Sequence, residues 1–197
     1  MLRSILAILM CCLSVSVVAE EKSAIFAGGC FWCMEKPFDV IDGVKSTTSG
    51  YTGGHTDNPT YESTSKGDTG HYEAIEIVYD SNKVSYQTLL DVFWKNIDPF
   101  DAKGQFCDKG PQYRSGIFTN DETEIALANK SKQTLQEKLG DKATIVTEVL
   151  PGKKFYPAEE YHQDYYKKNP VRYRYYRYGC GRDKRLKAVN QLIYPQQ

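Results

Sequence analysis

Between Tyr72 and Ile97 the hydrophobic period changes, and that change limits what the chain can build. Residues Tyr72 to Tyr79 (YEAIEIVY) put Ile75, Ile77 and Tyr79 on one face by strict alternation, the mark of a half-buried strand. Soon after, Tyr86, Leu89, Leu90, Phe93, Trp94 and Ile97 fall on one helical stripe. Ser85 stands at its N-cap, and Asp98-Pro99 stops it. A strand and a helix with one apolar face each must bury those faces together, which sets a layered α+β plan.

The flanking segments extend the plan. Ser23 to Ala27 is a short apolar strand closed by Gly28-Gly29, and Phe31 to Ile41 reads as a helix that Pro37 kinks or shortens. Val44 to Tyr51 is a strand that opens into a long polar loop ending at Gly70. Tyr113 to Thr119 is a further strand, Asp121 to Leu139 a helix stopped by Gly140, and Thr144 to Leu150 a last strand. The first six elements thus run strand, helix, strand, strand, helix, strand. That order predicts a ferredoxin-like βαββαβ core, a sheet with helices on one face, in a two-layer sandwich. An extra helix and strand follow, then a short helix over Pro157 to Lys168 and a loop-rich C-terminal segment.

Met1 to Ala19 carries Arg3, then an apolar run, then small residues at Val17-Val18-Ala19. This is the layout of a signal peptide over residues 1–19, leaving a single domain over residues 20–197. The expectation is an exported protein, periplasmic or secreted, with an N-terminal membrane anchor as the alternative. Cys11 and Cys12 belong to the discarded run. The whole chain balances 25 Lys+Arg against 25 Asp+Glu, so nothing in its charge suggests nucleic acid. At this size a chain buries roughly 70% of its unfolded surface and needs no disulfide staples. The remaining cysteines, Cys30, Cys33, Cys107 and Cys180, are therefore better read as chemistry.

Cys30 follows Gly28-Gly29 at a strand–helix junction, where free N–H groups and the positive helix end favour a thiolate. That effect is worth only about 0.3–1 kcal/mol at an exposed site, so hydrogen bonds or the substrate must add to it. A buried structural cysteine is the competing reading. Cys33 completes a C-x-x-C motif, which fits a thioredoxin-type redox pair, half a zinc site, or a nucleophile with a neighbour. Zinc needs four ligands, and no second C-x-x-C or paired His accompanies it, so no metal is expected.

Wider motifs separate the remaining readings. Gly28-Gly29-Cys30-Phe31-Trp32 with Glu35 resembles the active-site motif of the type A peptide methionine sulfoxide reductases. The likeness continues in order through Gly50-Tyr51-Thr52-Gly53-Gly54, Asn58-Pro59-Thr60-Tyr61 and Gly67 to Glu73. It then takes in Gln112-Tyr113-Arg114-Ser115 and Glu159-Glu160-Tyr161-His162-Gln163. The resemblance implies an enzyme that reduces methionine S-sulfoxide, free or in proteins, through a cysteine sulfenic acid and an intramolecular disulfide. It implies Cys30 as nucleophile, with Phe31 and Trp32 as an apolar wall for the S-methyl group. It implies Glu73 as proton donor to the sulfoxide oxygen, Tyr61 and Tyr113 as hydrogen-bond donors to it, and Asp108 acting through water. A carboxyl of ordinary pKa is protonated only about once in 500 at pH 7, so Glu73 must be buried to serve.

The resolving thiol is expected to be Cys180, between Gly179 and Gly181 in the Gly-rich C-terminal segment where family members commonly keep theirs. Cys33, one helical turn from Cys30, is the second candidate. Cys107, next to Asp108 and standing where Asn is commoner in the family, is the third candidate, with a buried bystander as its preferred reading. No cofactor is expected, only an external dithiol such as a thioredoxin-like protein, acting on a monomer. The rival function is a general thiol-disulfide oxidoreductase using Cys30 and Cys33. An outsider is a binding module whose Arg172 to Tyr178 run contacts a polymer, though tyrosine packing explains that run better. His55 and His162 are read as structural, and His71 as orienting the loop before Glu73.

Overall fold

The structure, a computed structural model, describes residues 20–195. The signal peptide expected over residues 1–19 lies outside them, and no helix among the described residues is long and apolar enough to cross a membrane.

Four strands carry the core: β1 (Glu21–Gly28), β2 (Val44–Thr52), β3 (Tyr72–Asp80) and, later, Ser115–Thr119. A short ribbon precedes the last of these, β4 (Gly104–Gln105) paired with β5 (Asp108–Lys109), so Ser115–Thr119 is β6. β7 (Glu148–Pro151) and β8 (Tyr156–Pro157) complete the set. The sheet runs β7-β6-β1-β3-β2-β8. Its inner four strands are antiparallel throughout, in the order of the ferredoxin-like core. β7 lies parallel to β6 at one edge, and β8 pairs with Gly50 and Tyr51 at the other.

The helices are α1 (Glu35–Asp39), α2 (Tyr61–Ser65), α3 (Tyr86–Lys95) and α4 (Glu122–Leu139), followed by α5 (Tyr165–Lys168), α6 (Pro170–Gly179) and α7 (Arg182–Ile193). Alternation decides which side they cover. Ala24 and Phe26 of β1 and Ile75, Ile77 and Tyr79 of β3 enter the large core, while Ala27, Tyr72 and Ala74 join Phe118 in a smaller cluster. Phe26 is fully buried, with the rings of Phe38, Tyr86 and Phe93 at 5.0–5.9 Å, so it welds α1 and α3 to the sheet. Burying such a side chain is worth about 1.5–3 kcal/mol. Ser85 caps α3 by accepting from Thr88 N, and Trp94 Nε1 donates to Ser131 Oγ at 2.8 Å, tying α3 to α4.

The fold class stands, and three details differ from expectation. The helix expected over Phe31 to Ile41 splits into a 3-10 turn (Phe31–Cys33) and α1. Pro157 belongs to β8 rather than to the first turn of a helix, and only Tyr165–Lys168 of that segment is α-helical. The C-terminal segment is helical rather than loop-rich. Pro170 opens α6, Gly181 takes φ +66° between the helices, and α7 buries Arg182, Leu186, Val189 and Ile193 on one stripe.

Candidate active site

Everything that positions Cys30 begins with its two glycines. A side chain at Gly28 would meet Met34 Sδ at 2.6 Å, and Gly29 sits at φ +79° with Gln105 Cβ where its own Cβ would stand. Only glycine allows β1 to turn this sharply under the buried Gln105 and deliver Cys30 as the N-cap of the 3-10 turn. Cys30 and Cys33 are free thiols, both buried, joined by the Cys33 N to Cys30 O bond at 3.0 Å.

Glu73 enters from β3 on the helix-covered face. It is buried, and its Oε2 accepts the Phe31 N–H at 3.2 Å. Burial pushes its pKa up to about 8, partly offset by the Phe31 N–H and reinforced by nearby Asp108. The carboxyl therefore holds its proton at neutral pH. Tyr61, the first residue of α2, and Tyr113, in the 3-10 turn before β6, complete this group. Both phenols are pushed up, first by burial and next by Glu73, and both feel the charge of Cys30. Glu159 fixes the first of them by accepting Tyr61 N at 2.8 Å and the Tyr51 hydroxyl at 3.0 Å.

The thiols divide their proton unequally. Burial raises the Cys30 pKa, and the hydrogen bond shared with Cys33 and the charges of Glu73 and Asp108 raise it further. Its partner moves the other way. The hydrogen bond with Cys30 brings Cys33 down to about 6 against the opposing effect of burial, helped by Arg182 and Arg177. Arg182 is a buried cation whose Nη2 donates to Gly28 O at 3.1 Å and Asn96 O at 2.8 Å, with Phe106 under its guanidinium.

The apolar side is aromatic. Trp32 stacks on Tyr165 at 3.7 Å with 5° between the rings, meets Tyr176 edge-on, and donates Nε1–H to His162 Nδ1 at 2.9 Å. Phe31 packs against Tyr51 and His162. Tyr176 also donates its hydroxyl to Asp108 Oδ2 at 2.5 Å, closing the gap between Trp32 and the polar side. Burial raises the Asp108 pKa, opposed by that hydroxyl.

Cys30, Cys33, Phe31, Trp32, Tyr61, Glu73, Asp108 and Tyr113 are thus gathered at one end of the sheet. Cys180 is not a free thiol in a mobile loop. It is the C-cap of α6 and is disulfide-bonded to Cys107, with 5.0 Å between the Cα atoms. Cys107 in turn is exposed, not buried, because Phe106 at φ +56° swings its own ring inward to Arg182 and its neighbour outward. Cys107, Asp108 and Cys180 stand close enough to hold a metal ion, but the disulfide occupies two of those donors. Tyr165, Tyr176 and Arg182 were not singled out from sequence, since nothing in the Arg-Tyr run marks which ring turns inward. His71 does fix its loop, accepting Gly54 N–H at Nδ1 and donating Nε2–H to Thr56 O at 2.8 Å.

A ferredoxin-like sheet that presents a buried cysteine pair to a buried, proton-holding carboxyl group defines a thiol oxidoreductase. The chain belongs to the peptide methionine sulfoxide reductase family, whose model matches residues 22–192. It is 51% identical over 167 residues to "Peptide methionine sulfoxide reductase MsrA" of Bacillus licheniformis, covering 84% of this chain and 92% of that protein. The Bacillus subtilis protein of the same name is 51% identical over 166 residues, covering 84% and 94%. Among solved structures, methionine sulfoxide reductase A of Corynebacterium diphtheriae aligns with TM-score 0.73 at 35% identity, covering 77% of this chain and 76% of that one. Mxr1 of Saccharomyces cerevisiae in complex with Trx2 aligns with TM-score 0.52 at 26% identity, covering 74% and 84%. The protein is a peptide-methionine (S)-S-oxide reductase, working through a cysteine sulfenic acid and an intramolecular disulfide.

Proposed function

We propose that Cys30 attacks the sulfoxide sulfur while Glu73 protonates its oxygen, with Tyr61 and Tyr113 hydrogen-bonding the same oxygen. The observation that carries this reading is Glu73 Oε2 held by the N–H of Phe31, beside Cys30, on a carboxyl that keeps its proton at neutral pH. A sulfoxide becomes electrophilic only when its oxygen is protonated or strongly hydrogen-bonded, so acid and nucleophile must converge. Oxygen passes to sulfur as Cys30 sulfenic acid, and methionine leaves. Phe31 and Trp32 hold the S-methyl group, and Asp108 acts on the oxygen through water.

Resolution falls to Cys33 rather than to Cys180. Cys180 already has a sulfur partner, whereas Cys33 is a free thiol that shares a hydrogen bond with Cys30. Its thiolate attacks the sulfenic sulfur, forming the Cys30–Cys33 disulfide and releasing water. The reductant is a thioredoxin-like dithiol protein, a reading supported by the structural likeness to Mxr1 bound to Trx2. Export, to a periplasm or beyond the cell, is supported by the composition of residues 1–19.

The test is Cys30→Ser. It should abolish methionine formation, since a hydroxyl offers almost no anion at neutral pH. More than trace turnover of methionine sulfoxide in that variant overturns the assignment.

A further inference from the structure

His162 takes no step in the reaction, yet it touches both sides of the site. It ends the 3-10 turn Glu160–His162 and is only 1% exposed. Its ring centroid stands 5.0 Å from Phe31, 5.7 Å from Trp32 and 4.5 Å from Tyr61, so it meets the apolar wall and one of the phenols at once. Its sequence neighbours hold it there. Glu159 accepts Tyr61 N and the Tyr51 hydroxyl, and the Gln163 amide pairs with Ser49 N at 2.8 Å and Ser49 O at 2.9 Å. The turn that carries the imidazole is thereby clamped to β2 and α2.

One hydrogen bond decides what this ring can do. Trp32 Nε1–H is a donor only, so His162 Nδ1, 2.9 Å away, is bare and the ring proton sits on Nε2. Burial holds the imidazole pKa below its ordinary value, against the charge of Glu159, so the neutral form that this bond requires is the one present at neutral pH. Nε2 is buried with no hydrogen-bond partner among the described residues. A buried donor left unpaired is destabilising, and a phenylalanine would fill the same space without one. What histidine adds at this position is the bare Nδ1.

Trp32 has a use for that acceptor. Its stack on Tyr165, 3.7 Å apart with 5° between the rings, fixes the plane of the indole but lets it slide and turn within that plane. A hydrogen bond at Nε1 lies in the plane and removes that freedom. A shift of about 1 Å in what holds a substrate is enough to spoil its alignment with a nucleophile. We propose that His162 is a positioning residue for sulfoxide reduction, its bare Nδ1 pinning the Trp32 indole at one setting beside Cys30. The proposal rests on Phe31 and Trp32 forming the wall for the S-methyl group, and it supplies the device that sets the wall. No bond is made or broken at His162, which acts through Trp32.

The test is a double-mutant cycle on the purified full chain, read as the second-order rate constant for methionine formation in a single turnover. His162→Phe keeps a ring and loses the acceptor, and should lower that constant by about tenfold or more. His162→Asn returns an acceptor near the place of Nδ1 and should stay within about threefold of the parent. Trp32→Phe has no N–H to hold, so adding His162→Phe to it should change the constant by less than about threefold. Should His162→Phe fail to fold, His162→Leu takes its place in the cycle. A parent-like rate in the apolar variant overturns the proposal. So does His162→Asn no faster than that variant, or an equal loss in the Trp32→Phe background, which would make the histidine a packing residue. Failure of the underlying reading looks different: Trp32→Ala then reduces methionine sulfoxide as fast as the parent.

Discussion

Phe31, the residue next to the nucleophile, gives its backbone N–H to Glu73 Oε2 across 42 positions of sequence. Any shift of the cysteine turn therefore moves the carboxyl's anchor as well, and acid and thiol stay in register. Glu73→Gln keeps the shape and the bond to Phe31 but has no proton to transfer. Single-turnover reduction should slow by about 10²–10⁴-fold, read by quenched-flow measurement of methionine. An unchanged rate hands the proton to another group, with Asp108 next in line.

The same carboxyl predicts a pH limb. With its pKa at about 8, Glu73 is protonated below that value and ionised above it. Loss of the Glu73 proton should therefore add a falling limb to the chemical step as pH rises through about 8, set against the rise that ionisation of Cys30 brings. Glu73→Gln should lose that limb, and a limb surviving in the variant would place its origin elsewhere.

Resolution is read by mapping. Protein given one equivalent of methionine sulfoxide, then blocked at free thiols, should yield a Cys30–Cys33 link with Cys107–Cys180 intact. In Cys33→Ser the sulfenic acid should persist long enough to be captured by a dimedone-type reagent. A Cys30–Cys180 link would return the role to Cys180.

Glu35 makes a prediction about stability. It is fully buried, its Oε1 accepts Asp164 N at 3.2 Å, and burial raises its pKa from 4.5 to about 7. The folded chain thus binds more protons than the unfolded chain between those values. The contribution is complete below about pH 4.5 and is lost as pH rises through about 7. Glu35→Gln removes the loss, so in urea titrations the variant should gain on the parent by about 1–3 kcal/mol between pH 5 and pH 8. Parallel pH profiles would show that the carboxyl is solvated.

The βαββαβ core was legible because local signals agreed with the global pairing. Alternation set the faces of β1 and β3, and Ser85 and Asp121 cap α3 and α4 as their side-chain chemistry predicts. The C-terminal helices were not legible. In α6 two inward rings, Tyr173 and Tyr176, sit among arginines and exposed tyrosines, which blurs the helical period. The Cys107–Cys180 bond spans 73 residues and leaves no local trace. The same holds for Tyr165 and Tyr176, which reach Trp32 only after α5 and α6 fold back over the cysteine turn.

The bond from Arg182 to Gly28 O joins residues 154 positions apart, near the two ends of the described chain. Contacts so distant in sequence form late, after the local hairpins and helices that shorten the path between them. A chain growing from its N-terminus completes the sheet, and with it the Gly28-Gly29-Cys30 turn, well before α7 exists. Until that last helix docks, Cys33 lacks the Arg182 cation, and the rings of Tyr165 and Tyr176 close over Trp32 only shortly beforehand. The Arg182 share of what lowers the Cys33 pKa thus comes from the last helix of the described chain, held against the first strand.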